Sequence, residues 1–138
     1  GEHMNRPIFG TREVYDALAE ALNEDPKWLA KASVLNYTMT HVYTEPVNKT
    51  FTFRFEGGKL LDVRDVDGPA PADFVLTGSP EVWERMLVSQ TITPQIALVT
   101  RKIQVDGKMT VLLKHISVFN YLLAVLIGLE PVMSADER

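Results

Sequence analysis

Hydrophobic side chains recur at helical spacing near the start of the chain. Val14, Leu18 and Leu22 follow one another every four residues, which places them on one face of an amphipathic helix. Thr11 precedes this run and belongs to the residue types that cap helix N-termini. Pro26 begins a short second helix, because proline is favoured at the first helical position. The pattern therefore predicts two consecutive helices before residue 35.

The hydrophobic period changes to two beyond residue 34, as it does in β-strands. In the second of these runs Phe51, Phe53 and Phe55 alternate with polar residues, so the three rings share one face. The pair Gly57-Gly58 predicts a tight turn, and strands that are joined this closely form an antiparallel meander. The predicted strands are residues 35–43, 50–56, 60–66 and 73–77.

The remainder of the chain combines helices with one further strand. Ser79-Pro80 and Thr93-Pro94 each place a capping residue before a proline, which predicts two helix starts. Residues 102–106 predict a fifth strand. Helical spacing then returns as far as Gly128, with a kink expected at Ser117. This order predicts an α+β fold, in which helices cover one face of a five-stranded, mostly antiparallel sheet.

Composition and charge indicate a single globular domain. The chain has 138 residues, of which 46% are hydrophobic. One domain is expected at residues 4–131, between an expression-tag remnant at 1–3 and a C-terminal tail at 132–138. The net charge of −4 opposes nonspecific attraction to nucleic acid, so no nucleic-acid partner is expected. There is no cysteine, and no signal segment follows Met4, so a cytoplasmic location is predicted.

Residues 111–129 form the most hydrophobic stretch and are about as long as a membrane span. The stretch contains Lys114, His115, Ser117 and Asn120, which are costly in hydrocarbon, so we interpret it as a buried helix without stable membrane insertion. Its apolar side chains extend nearly all round the helix, which is more than one sheet face covers. The surplus must meet a ligand, a second subunit or a membrane, and the pattern leaves that choice open.

Residues that carry chemistry are sparse. His41 and His115 have no second ligand at metal-binding spacing, and Asp62, Asp65 and Asp67 do not match a calcium loop. We therefore predict no metal site. His41 falls on the apolar face of its strand, and we interpret it as a satisfied core or cavity-lining histidine. The positive signal is instead the apolar excess, to which five methionines add adaptable surface.

Four short motifs occur in an order that resembles the sterol carrier protein type 2 family. Members of that family carry an Asp-apolar-x-apolar-Thr strand, a helix with a large apolar residue, a Pro-x-x-Ala segment and a Gly-Lys-Leu-x-Ile-x-Gly-Asp-Met strand. The corresponding residues here are 73–77, 79–83, 94–97 and 101–109. Arg101 replaces the glycine of the last motif, and Lys108 replaces its acid.

The resemblance implies an apolar tunnel between the sheet and the helices, which holds a fatty acid, fatty acyl-CoA or sterol-like lipid. It also implies that the domain has no catalytic residues and no obligatory cofactor. Each predicted wall residue is equally compatible with plain core. Carried over by position, the walls are Phe51, Phe53, Trp83, Met86, Leu87, Ile96, Met109, Leu112, Leu113 and Ile116, with Phe119 and Leu123 on a C-terminal lid.

Two rival hypotheses stand beside a lipid carrier. In the first, the protein is a non-catalytic interaction module whose apolar C-terminal helix closes a homodimer or docks onto an enzyme. An enzyme would use His41 or Tyr37 inside the cavity, which the sequence supports little. A cone-shaped fold of the nuclear transport factor 2 type ends in strands, whereas this chain is predicted to end in a long helix.

Overall fold

The computed structural model describes residues 6–138, and the predicted tag remnant at residues 1–3 lies outside the described residues. The helices are α1 (Arg12–Asn23), α2 (Pro26–Lys31), α3 (Pro80–Leu87), α4 (Pro94–Val99), α5 (Met109–Lys114) and α6 (Ile116–Gly128). The strands are β1 (Thr38–Tyr43), β2 (Lys49–Glu56), β3 (Lys59–Asp67), β4 (Phe74–Gly78) and β5 (Ile103–Gly107). A short 3₁₀ helix, Ala135–Glu137, follows α6.

Helix starts follow the capping residues that the sequence predicts. The hydroxyl of Thr11 accepts from the amide of Glu13 at the start of α1, and the hydroxyl of Ser79 accepts from the amide of Val82 in α3. Thr93 caps α4 in the same manner. Each cap pairs an amide that the first helical turn leaves without a partner.

The five strands form one mixed sheet in the order β3-β2-β1-β4-β5. The β1–β2 and β2–β3 pairs are antiparallel, as the predicted meander requires. The β4–β5 pair is also antiparallel, and β1 pairs with β4 in parallel. The predicted α+β class is confirmed. The position of β4 beside β1 is not encoded in any local pattern, because the two strands are far apart in sequence.

Reciprocal hydrogen bonds fix the start of the parallel pair. The carboxylate of Asp73 accepts from the Thr38 amide at 2.9 Å, and the Thr38 hydroxyl accepts from the Asp73 amide at 2.9 Å. On the other side of β4, Gly107 lies opposite Phe74, where a Cβ atom would be 1.9 Å from the Asp73 carbonyl oxygen. The backbones approach this closely only because the residue is glycine.

The core lies between one face of the sheet and the helices. His41 and Met39 of β1, Phe51 and Phe53 of β2 and Leu76 of β4 alternate toward this face and are buried. Helix α1 packs over β3, and α6 packs against α1, α2, α3 and α5. The opposite face carries five threonines of β1, β2 and β4 among valines and charged side chains. The pattern of one apolar and one polar face is typical of a two-layer domain.

The C-terminal segment differs from the prediction in two ways. The predicted single helix is interrupted at His115, two residues before the expected kink at Ser117, so α5 and α6 are separate helices. In the predicted tail, Val132 is buried and bridges to Ile8, because its amide donates to the Pro7 carbonyl at 2.9 Å. Within residues 6–138, no helix is both long and apolar enough to cross a membrane.

Candidate functional site

A small apolar cavity lies between the sheet and helices α4, α5 and α6. Its volume is about 40 Å³, and two of its lining side chains, His41 and Asn120, are polar. The apolar lining comes from three strands and three helices. It consists of Met39, Leu76, Leu98, Val105, Leu112, Ile116, Phe119, Leu122 and Leu123. Carbon-rich walls of this kind favour apolar occupants over water.

The side chain of His41 is polar, forms part of the cavity wall and is fully buried. Its Nδ1 atom lies 2.9 Å from the hydroxyl of Tyr15, which lies 3.2 Å from the hydroxyl of Tyr43. Trp83 stacks on the imidazole with ring centroids 4.9 Å apart. The predicted satisfied histidine is therefore only half satisfied, because Nε2 has no hydrogen-bonding partner among residues 6–138.

Burial shifts the pKa values of this buried cluster. Desolvation lowers the pKa of His41 from 6.5 to about 3, so the ring is neutral at physiological pH. Desolvation also raises the pKa of Tyr15 and of Tyr43, and proximity of the two phenols adds to the shift at Tyr15. All three side chains are uncharged near pH 7, so no ionic charge comes from this wall of the cavity.

The structure brings together part of the predicted tunnel wall. Leu112, Ile116, Phe119 and Leu123 line the cavity. Trp83 and Met86 line an adjoining gap of about 10 Å³, which shares Leu76, Leu98 and Leu123 with the cavity. These predicted residues therefore surround two neighbouring voids rather than one tunnel, and the tunnel itself stays a prediction.

The other predicted wall residues lie elsewhere. Phe51 and Phe53 are buried beneath α1, where both stack on Tyr15, and Leu87 is buried without contacting the cavity. Ile96, Met109 and Leu113 face outward. Periodicity identifies the apolar face of a strand or helix but not the neighbour that covers it. For this reason, some predicted wall residues lie elsewhere in the core and others on the surface.

Several wall residues were missing from the predicted set. Met39, Leu76 and Val105 share the apolar sheet face with His41, and Leu98 belongs to α4. Strand alternation could have identified the first three, because each lies an even number of residues from a predicted core residue of its own strand and therefore on the same face. Their convergence at one point depends on the β1–β4–β5 order, which the sequence pattern does not reveal.

Helices α4 and α5 expose apolar side chains around the cavity. Val99 is 80% exposed, Leu113 65%, Ile96 52% and Met109 44%. Helix α5 has no buried residue, and neither α5 nor α6 has a side-chain cap at its N-terminus. By contrast, α6 buries five residues against the other helices. The apolar surplus predicted for α6 is thus largely covered within the chain, and dimerisation through this helix stays a prediction.

Two larger clefts lie outside the layer interface. An open groove of about 650 Å³ runs over the opposite sheet face between Val42, Val75 and the loop at Gly68 and Pro69. A cleft of about 660 Å³ between α1 and the end of α6 is bordered by several charged residues. Both open broadly to water. The cavity between the layers is the stronger candidate despite its small volume. It is less open than the two clefts, and its wall includes Nε2 of His41, the buried side-chain polar atom without a partner among residues 6–138.

The two residues proposed for enzyme chemistry do not share a cavity. Tyr37 lies beside Asn36 and Asp73 in a separate surface cleft, and its ring meets Phe74 edge-on at 5.5 Å. The hydrogen-bonding partner of His41 is the buried phenol of Tyr15, and no carboxylate is among its partners in the described part of the chain. No group of three or more potential metal ligands occurs within residues 6–138. This geometry gives no support to the enzyme hypothesis.

The structure is thus a two-layer α+β domain with a small apolar cavity between its layers. The sequence model of the SCP-2 sterol transfer family matches residues 17–120, which is most of the chain. The chain therefore belongs to the SCP-2 sterol transfer family. A search of curated proteins gave no significant match.

Solved structures with the same fold include free-standing domains and part of an enzyme. A crystal structure of sterol carrier protein 2 has a TM-score of 0.75 at 21% identity, covering 86% of this chain and 96% of that chain. A protein from Thermus thermophilus described as possibly a sterol carrier protein has a TM-score of 0.73 at 18% identity, covering 94% of both chains.

A sec-alkylsulfatase from Pseudomonas sp. has a TM-score of 0.53 at 18% identity. The match covers 89% of this chain but only 16% of the enzyme. At these identities the likeness shows the fold, which occurs both as nearly a whole chain and as a small part of a larger one.

Proposed function

We propose that this protein binds and carries an apolar ligand, namely a fatty acid, fatty acyl-CoA or sterol-like lipid, between the sheet and helices α4–α6. The observation that supports this most is the apolar cavity between the layers, to which Leu76, Leu98 and Phe119 contribute. Family membership adds weight, as does the likeness to a structure named sterol carrier protein 2.

The present cavity must widen for a lipid to enter. Drug-sized ligands occupy pockets of roughly 300–1,000 Å³, whereas this cavity measures about 40 Å³. A lipid therefore requires the walls to stand further apart than they do here. Because a void in a protein interior forfeits packing energy, such walls pack together wherever nothing separates them.

Helix α5 is the element that we propose to move. It has six residues, buries none of them and is joined to α6 at His115, where the helical hydrogen-bonding pattern is interrupted. Leu112 is the α5 residue that reaches the cavity wall. Local opening follows low burial and sparse packing, so displacement of α5 costs less than displacement of α6.

We assign the exposed apolar side chains of α4 and α5 to the entrance of the cavity. Ile96 and Leu113 lie on the helices that border the cavity, and their exposure to water is unfavourable. When α5 moves outward, these side chains would line the widened entrance. A lipid would then pass from a membrane or micelle to the cavity with less of its surface exposed to water.

Burial of the ligand is energetically sufficient. Each methylene that leaves water contributes about 0.8 kcal/mol. A chain of about sixteen methylenes contributes about 13 kcal/mol, which leaves micromolar affinity after an association cost of about 4 kcal/mol. The free energy of burying apolar surface does not depend on direction, so it favours any apolar ligand of suitable shape.

The test is a titration with two fluorescent probes, cis-parinaric acid as a fatty acid and dehydroergosterol as a sterol. We expect micromolar affinity for at least one probe. Leu76→Phe should weaken that affinity at least about tenfold, because the added ring atoms occupy the cavity that the ligand uses.

Val75→Phe is the matched control. It makes an apolar enlargement at the adjacent position, but its side chain faces the groove on the opposite side of the sheet. Binding should be unchanged in this variant. Absence of binding by both probes at micromolar concentration would overturn the proposal, and loss of binding only in Val75→Phe would transfer the site to the outer groove.

A further inference from the structure

The buried imidazole of His41 presents one nitrogen without a partner to the cavity. Its other nitrogen, Nδ1, is engaged by Tyr15 on α1 at 2.9 Å. The two ring nitrogens project in nearly opposite directions, so Nε2 points away from α1. The cavity, formed by β4, β5 and α4–α6, lies on that side.

The direction of the hydrogen bonds determines which nitrogen carries the proton. If Tyr43 donates to Tyr15 and Tyr15 donates to Nδ1, every phenolic hydrogen has an acceptor, and the neutral ring carries its hydrogen on Nε2. The reverse direction leaves the Tyr43 hydroxyl hydrogen without an acceptor in this network. Within residues 6–138, each direction leaves one hydrogen unpaired, on Nε2 in the first and on Tyr43 in the reverse, but the reverse also leaves the Nε2 lone pair without a donor. The first arrangement is therefore favoured, and Nε2 is a hydrogen-bond donor.

An unpaired buried donor is unfavourable, and such groups in native proteins usually have a partner. The cavity is large enough for one water molecule, but a buried water typically makes about three hydrogen bonds. Here the lining offers two polar side chains, His41 and Asn120. An oxygen atom attached to an apolar molecule suits this wall better, since the rest of that molecule contacts the carbon atoms.

We propose that Nε2–H of His41 donates a hydrogen bond to an uncharged hydroxyl or carbonyl oxygen of the bound apolar ligand. This inference rests on the proposed function and narrows its ligand class. An ionised carboxylate is disfavoured at this position, because the neutral ring and the apolar walls do not compensate for its lost hydration. Sterols, long-chain alcohols and carbonyl compounds remain.

The experiment compares 1-dodecanol with dodecane, which differ by one hydroxyl group. Phosphatidylcholine vesicles that contain both compounds are incubated with the wild type or with His41→Phe, and the amount of each compound bound to the separated protein is measured by gas chromatography. The alcohol-to-alkane ratio of the wild type is then divided by that of the variant, so that partitioning from the vesicles cancels.

We expect this double ratio to be about threefold to tenfold, the factor that one net hydrogen bond provides. A double ratio of one with both compounds bound by both proteins would overturn the inference while leaving the proposed function intact. If the wild type takes up neither compound, the proposed function fails, and the inference fails with it.

A second measurement avoids any substitution. Long-range ¹⁵N–¹H correlation spectra of the wild type should show His41 as the Nε2–H tautomer. Addition of 1-dodecanol should shift its Nε2 signal, whereas dodecane should not. The Nδ1–H tautomer, or equal shifts with both compounds, would overturn the inference.

Discussion

The hydroxyl of Tyr15 lies 2.9 Å from Nδ1 of His41, and this contact joins α1 to the central strand β1 inside the core. Both side chains are inaccessible to water. The contact orients the imidazole so that its free nitrogen is directed toward the cavity. It also means that protonation of His41 would introduce a charge into a site that has no carboxylate partner among the described hydrogen bonds.

The stability of the wild type should therefore fall as the pH decreases below 6.5. The pKa of His41 is about 3 in the folded protein and 6.5 when exposed, so its contribution to stability is present above pH 6.5 and is lost as the pH falls toward 3. We expect a loss of about 1.5 kcal/mol in the free energy of unfolding between pH 6.5 and 5.

His41→Phe should remove this part of the pH dependence. Near pH 7 its stability should lie within about 1 kcal/mol of the wild type, because a lost hydrogen bond is offset by removal of an unpaired donor. Urea denaturation at pH 7, 6 and 5 measures both effects. An equally steep decline in the variant would show that His41 is not the group responsible.

Helix α5 should open locally far more often than the sheet. We expect the amides of Leu113 and Lys114 to exchange with deuterium at least about a hundredfold faster than those of Met39 and His41 in β1. The reason is that α5 buries no side chain, whereas most of β1 is buried. Native-state hydrogen exchange checks this, and equal protection in α5 and β1 would refute a mobile α5.

Replacing Arg101 with glycine should stabilise the protein. Arg101 follows α4 with φ at +61°, a conformation in which the Cβ atom is crowded, and the corresponding family motif has glycine there. We expect Arg101→Gly to raise the free energy of unfolding by about 1 kcal/mol. Lys102→Gly is the matched control and should lower it by about the same amount. Destabilisation by both substitutions would contradict this explanation.

Replacing Gly107 with alanine should be severely destabilising. The new Cβ would lie 1.9 Å from the backbone oxygen of Asp73, and the φ angle is +133°. Because this neighbour is backbone, β4 and β5 must separate, and we expect a loss of about 3 kcal/mol or more. Gly128→Ala, which meets nothing within 4 Å, should be neutral or slightly stabilising. Thermal unfolding of the two variants measures the difference.

Local patterns predicted much of this fold. Thr11, Ser79 and Thr93 start helices through hydrogen bonds that involve only neighbouring residues, and alternation correctly paired the faces of β1 and β2, in which His41 lies opposite Phe51. These features depend on contacts close in sequence, or on strands joined by one tight turn. They are therefore visible in the sequence alone.

The candidate site was less predictable, because it depends on which elements become neighbours. Phe51 and Leu76 show the same strand alternation, yet Phe51 lies beneath α1 and Leu76 lies beside the cavity. Their different surroundings depend on the position of β4 between β1 and β5. Leu113 faces outward on α5, which the break at His115 separates from α6. Helical spacing alone gave no indication of where that break would fall.

The central claim, that an apolar ligand binds between the sheet and α4–α6, is tested most directly by intermolecular nuclear Overhauser effects. Protein with ¹³C-labelled leucine and valine methyl groups would be measured with unlabelled 1-dodecanol. The account predicts contacts from the ligand to the methyl groups of Leu76, Leu98 and Leu123. Contacts confined to Val42 and Val75 on the opposite face would contradict it.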